Sequence, residues 1–221
     1  MKRAIQFKIL LFTVLILTSI IFFSCDDSGI VTVEKTPFRI EAKIINYTPF
    51  GQNIVFANIL SVTGAIYYVC YCPINNESKF TIEPPESMRD TTVMPVESIF
   101  FAGCSGGNAS FSPSDAKGTP ICHFDVRYQN NIIGNVDNNN YSKDDSLRKA
   151  GDFEITYIYM NQKVACSGFR LSGSDTVKID CSLEAGWNKV VRHYTRVELT
   201  DKTILYDLTE PSGAQWEYKA K

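Results

Sequence analysis

The feature that most limits the folds open to this chain is a pattern of short apolar runs that alternate with period two and stop at turn residues. Phe38, Ile40, Ala42 and Ile44 alternate with Arg39, Glu41 and Lys43, and Cys122, Phe124, Val126 and Tyr128 alternate with His123, Asp125 and Arg127. Successive side chains of a strand point to opposite faces, so such alternation marks a half-buried strand. Further runs at 53–60, 78–82, 96–102, 106–111, 132–136, 153–160, 163–170, 176–183, 187–199 and 203–208 read as strands, and 215–218 as a last edge. Residues 65–72 (AIYYVCYC) are apolar on both faces, as an inner strand would be. No apolar stripe of helical period exceeds two turns. Many short strands with turn signals between them predict an all-β chain.

The glycine-rich turn at 103–107 divides these runs into two sets. The expectation is two small antiparallel β-sandwich modules in tandem, residues 38–103 and 104–221, with one continuous sandwich as the alternative. Residues 25–37 (CDDSGIVTVEKTP) are polar and read as a tether.

Ahead of the tether, Lys2, Arg3 and Lys8 precede fifteen uncharged residues, 9–23, and Ser24-Cys25 closes the run. A basic start, an apolar centre and a small residue before the cut make residues 1–24 a secretory signal peptide. The run is shorter than the roughly 20 apolar residues that a spanning helix needs. It resembles a bacterial lipoprotein signal, although Phe22 and Phe23 are bulkier than that family's pattern prefers. The resemblance implies that Cys25 is acylated and that the mature chain sits on the outer membrane or cell surface.

Export decides how the other six cysteines are read: Cys70, Cys72, Cys104, Cys122, Cys166 and Cys181. An even count outside the cytoplasm favours disulfides. With 172–175 as a hairpin loop, counting outward brings Cys166 opposite Cys181. Cys70 and Cys72 share a face, which makes them poor partners for each other, and are expected to join Cys104 and Cys122. A zinc site is disfavoured, because one residue separates Cys70 from Cys72 where paired ligands normally have two to four between them.

Chemistry is harder to find. Gly103-Cys104-Ser105-Gly106-Gly107 brings to mind a serine-protease nucleophile loop, but both histidines follow Ser105, which is the wrong order for that family. Cys122 and His123 are adjacent on a strand, so their side chains diverge. The polar stretch 137–151 offers oxygen ligands, yet Ser142 and Arg148 stand where a calcium loop needs glycine and glutamate. It reads as a contact loop, with Asp137, Asn139, Asp144 and Asp145 as its candidate residues. Trp187 and Trp216 are candidates for a sugar platform. With 22 Lys and Arg against 24 Asp and Glu and no basic run, nothing supports a nucleic-acid partner.

Two phrases carry a further resemblance. Leu183-Glu184-Ala185-Gly186-Trp187-Asn188 and Pro211-Ser212-Gly213-Ala214-Gln215-Trp216 are similar to uncharacterised bacterial lipoproteins. The first set of strands resembles the transthyretin-like and carboxypeptidase-regulatory-like β-sandwiches of exported proteins. The resemblance implies a β-fold and no activity. The expected function is a non-enzymatic, membrane-anchored envelope protein that contacts another envelope protein or a glycan, without metal or cofactor. The alternative is a small-substrate hydrolase or carbohydrate-active enzyme with scattered carboxylates.

Overall fold

Strand β7 (Lys117–Tyr128) ties the architecture together, because it changes partners along its length. Its 121–128 portion lies between β2 (Asn53–Leu60) and β8 (Asn131–Asn138), whereas Gly118, Thr119 and Pro120 pair with β9 (Phe153–Met160). Pro120 sits at the changeover. Having no N–H to give, it suits a point where the ladder breaks.

The computed structural model describes residues 36–61, 63–140, 148–198 and 200–221. The signal segment, Cys25, most of the tether, Asp144 and Asp145 lie outside these residues. The remaining strands are β1 (Ile40–Ile45), β3 (Ile66–Pro73), β4 (Lys79–Ile82), β5 (Met94–Pro95), β6 (Ser110–Ser112), β10 (Val164–Ser172), β11 (Asp175–Leu183), β12 (Gly186–Val197), β13 (Lys202–Asp207) and β14 (Trp216–Ala220). One helix, α1 (Val96–Phe101), follows β5. The all-β expectation holds. One arm of the ladder runs β4-β1-β14-β8-β7-β2-β3, and the other runs β7-β9-β12-β13-β11-β10-β6. The β1–β14 and β11–β13 pairs are parallel, so the sheet is mixed.

Alternation on β9 and β12 feeds two cores. Phe153, Ile155, Tyr157 and Tyr159 face the first, with Trp187 and Val191 of β12 and the inner side chains of the first arm. Ile158 and Met160 face the second, with Val190 and Tyr194, the inner residues of β10, β11 and β13, and Val96, Phe100 and Phe101 of α1. Both faces of β9 are therefore buried, which is why FEITYIYM is apolar almost throughout.

The pairing differs from a division at Cys104. β1 and β2, which precede it, pair with β14 and β7, which follow it, and residues 37–221 form one compact unit. The 103–107 turn lies along β10 instead of linking two bodies. Ser105 exchanges backbone hydrogen bonds with Leu171, and Arg170 donates to the Gly106 carbonyl. Gly107 has φ of +83°, and a Cβ there would fall 2.3 Å from the Phe169 carbonyl oxygen. Only glycine permits so close an approach.

Four local expectations are also corrected. Residues 96–101 are helical: Pro95 precedes the first turn, and Val96 and Phe100, four apart, reach the second core. β14 lies between β1 and β8, so it is not an edge. The predicted inner strand at 65–72 is β3, which pairs only with β2 and exposes Ile66, Tyr67, Tyr68 and Tyr71. The hairpin turn after β7 uses Gln129 and Asn130, both at positive φ, one residue earlier than Asn130-Asn131.

Candidate functional site

Among the described residues, the sequence-predicted site residues are not brought together, apart from Cys166 and Cys181. Cys166 and Cys181 do face each other across β10 and β11, in the register that the hairpin count gives. They nonetheless stand as free thiols, like Cys70, Cys72, Cys104 and Cys122. The Cys181 thiol donates to the Cys166 sulfur; this favours the thiolate at Cys166 and holds Cys181 protonated. For the other pairs geometry gives the reason. β2 lies between β3, which carries Cys70 and Cys72, and β7, which carries Cys122. Two strand spacings are about 9.6 Å, beyond the Cα separation that a disulfide spans. Cys122 instead donates to the Asn58 carbonyl at 3.2 Å. Cys104 packs against the second core, whereas Cys70 and Cys72 belong to the first.

The contact-loop residues are likewise redistributed. Asp137 is the penultimate residue of β8 and pairs with Lys219 at 3.1 Å. Asn138 and Asn139 are buried, and Asn139 bridges to Glu154. Trp187 and Trp216 do not form a platform, being only 9% and 6% exposed. The Trp187 indole donates to the Pro85 carbonyl at 2.7 Å, and Trp216 sits among Phe80, Phe124 and Tyr157.

The exposed aromatics lie on the outer face of β2 and β3, and a β-bulge puts them there. Tyr71 pairs with Phe56 and Cys70 with Ala57, but the next partner of Asn58 is Tyr68, leaving Val69 as the extra residue. Strict alternation would send Tyr68 and Tyr71 to opposite faces. The bulge resets the phase so that both lie beside Phe56. Tyr71 stacks on Phe56 with centroids 5.3 Å apart and an interplanar angle of 28°, and Tyr68 meets its edge at 5.6 Å. Tyr68 and Tyr71 are 63% and 64% exposed.

The same face continues across β7 and β8. Register sets Tyr71, Phe56, Asp125 and Asn135 in one row across four strands, with Lys219 of β14 at its end. A second row runs Tyr68, Asn58, His123. The Arg127 guanidinium lies 4.5 Å over the Phe56 ring, a cation–π contact that holds it flat on the sheet. Asp125 has His123 at 3.7 Å and Arg127 at 3.6 Å. The guanidinium balances its charge, yet both separations exceed hydrogen-bond length, so its oxygens remain free to accept. Arg127 Nε is buried with no hydrogen-bond partner. Beside this row, His123, Asp125, Asn135 and Lys221 border a hollow of about 320 Å³.

The arrangement places flat aromatic surface next to the Asp125 carboxylate and the Arg127 guanidinium. Among the described residues, no three His, Cys, Asp or Glu side chains converge as a metal site would need. No helix of the described residues is long and apolar enough to cross a membrane. No protein-family model, curated protein or solved structure matches the chain. The signal missed in the sequence was YYVCY itself: three tyrosines in an uncharged run with no period that buries all of them.

Proposed function

We propose that the chain is a lipid-anchored, non-catalytic binding protein of the bacterial cell envelope, tethered through Cys25, that holds a glycan on the outer face of β3, β2, β7 and β8. In this reading the two cores are the sandwich-like halves of a single unit, the counterpart of two tandem modules. The observation that carries the proposal is the exposed pair Tyr68 and Tyr71, packed on Phe56 in register with Asp125 and Asn135. A sugar ring offers an apolar C–H face and a rim of hydroxyls. Exposed tyrosine rings match the first. A carboxylate and an amide match the second. Strand spacing of about 4.8 Å is close to the length of one pyranose unit, so successive rings of a chain laid across the row would meet successive side chains.

Support for a binder over an enzyme comes from the carboxylates. Asp125 lies beside the Arg127 guanidinium and Asp137 is paired with Lys219, which leaves neither placed as a proton donor. Polysaccharide affinity electrophoresis tests the reading. The mobility of the wild type should fall in gels containing an envelope polysaccharide, and Tyr71→Ala should weaken retention roughly tenfold, equivalent to about 1.4 kcal/mol. Equal retention of the two proteins would refute a role for this face. Capture of a peptide in place of any polysaccharide would replace the glycan with a protein partner.

A further inference from the structure

β3 also borders a second hollow, which shares Tyr68 with the rows just described. β3 and the segment after β4 enclose a cleft of about 630 Å³, within the size range of small-molecule sites, roughly 300–1,000 Å³. Ile59, Tyr67, Val69, Pro85 and Met88 give it apolar walls. Ser61, Thr63, Ser87, Thr91 and Thr92 contribute hydroxyls, and Arg89 is the only charged lining residue among those described. Glu86 and Asp90 flank this stretch, but neither lines the cleft. The segment thus turns its one cation inward and keeps its carboxylates out.

The cleft is preformed. Trp187 pins Pro85 through the 2.7 Å indole hydrogen bond, and Met88 packs against the first core. The Thr92 amide and hydroxyl both donate to the Arg89 carbonyl, at 2.9 and 2.7 Å, closing the 3₁₀ turn Asp90–Thr92 over it. Opposite, Ser61 and Thr63 hydrogen-bond each other at 2.9 Å, and Ala65 N–H donates to the Ser61 hydroxyl.

We infer that this cleft binds a small organic monoanion, a carboxylate carried on an apolar body. A guanidinium fork donates bidentately to a carboxylate, the Ser87 and Thr91 hydroxyls line the same cleft as further donors, and the apolar walls take the rest of the molecule. A polyanion such as a nucleotide is disfavoured, because one guanidinium faces it and no glycine-rich loop supplies backbone donors. Tyr68 borders both sites, so Tyr71, which does not line the cleft, is the residue that separates this inference from the glycan reading.

Calorimetric titration of the processed full chain in a neutral detergent tests it, with 3-phenylpropionate and octanoate as probes and 3-phenylpropanol as the neutral isostere. At least one carboxylate should bind with a micromolar dissociation constant and the alcohol at least roughly tenfold more weakly. Arg89→Gln should lose at least roughly tenfold in affinity, whereas Arg89→Lys should retain part of it. Arg89 is exposed, so both variants should melt as the wild type does. Tyr71→Ala should bind the carboxylate unchanged. Absence of heat for both carboxylates, equal affinity for the alcohol, or undiminished binding by Arg89→Gln would overturn the assignment. So would loss of binding in Tyr71→Ala, because the ligand would then lie on the outer face.

Discussion

Trp216 shows how one side chain can hold four strands. Its ring lies 5.3 Å from Phe80 of β4, 5.0 Å from Phe124 of β7 and 6.3 Å from Tyr157 of β9. Trp216→Ala should lower the free energy of unfolding by about 3–5 kcal/mol, through lost burial plus the cavity left behind. Urea denaturation measures this, and a loss below about 1 kcal/mol would mean that the aromatic cluster is not the centre of the first core. The thiols of β3 supply a different test. Burial pushes Cys70 from 9.0 up to about 12, with Cys72 nearby adding to the shift, and pushes Cys72 itself to about 11. In the fold both stay protonated at a pH where unfolded thiols ionise, so between those values the unfolded state binds fewer protons. Their contribution is complete below pH 9 and is lost as the pH rises through about 11–12. The melting temperature should therefore fall from about pH 9 upward, and fall less steeply in Cys70→Ala/Cys72→Ala. Identical slopes would remove the thiols from the alkaline transition.

Among the elements, β3 is the one whose local irregularity matters most. Deleting Val69 removes the extra residue of the bulge, so Tyr68 directly precedes Cys70 and regular alternation keeps it opposite Asn58, on the face of Phe56 and Tyr71. The shortened protein should keep its melting curve within a few degrees and keep its polysaccharide retention, which a Tyr68→Ala/Tyr71→Ala variant should lose. Loss of retention by the shortened protein would show that the shared face of Tyr68 and Tyr71 is not enough to hold the polymer. Gly107 offers a purely structural counterpart. Its positive φ and the 2.3 Å approach to Phe169 mean that Gly107→Ala should destabilise by more than about 1 kcal/mol, as read by thermal melting. The sequence discloses such elements unevenly. Alternation assigns 53–60 and 153–160 to strands with the ends that β2 and β9 have, and hairpin counting places Cys166 opposite Cys181. Residues 96–101 escape it because six helical residues, VESIFF, are too few to establish a 3.6-residue period. β3 escapes for another reason. An uncharged run reads as buried on both faces, whereas its position at an edge depends on which strands find it, and that is decided by long-range pairing. The candidate site was hidden by the same cause, since register across four strands brings Tyr71, Phe56, Asp125 and Asn135 into line.

At the scale of the whole molecule, the ladder joins the first third of the chain to its middle third through β2–β7 and to its last third through β1–β14. Neither set of strands can complete its core alone, so thermal unfolding of residues 37–221 should give one transition, with calorimetric and van't Hoff enthalpies in agreement. Two resolved transitions would restore a division near Cys104. The proposed anchor belongs to this scale too. Metabolic labelling with a radioactive fatty acid should mark the wild type and leave Cys25→Ala unmarked, and labelling of both would place attachment elsewhere. The proposal also gives the anchor a purpose: it fixes one end of the chain so that the row from Tyr71 to Asn135 can hold a polymer of the same envelope. The most direct test is amide and side-chain NMR of the isotope-labelled chain, titrated with oligosaccharides cut from that polymer. The account expects shifts concentrated at Tyr68, Tyr71, Arg127 Nε and Asn135, with the oligosaccharides recovered at their original length. Shifts that spare these four residues, or oligosaccharides recovered shortened, would contradict it.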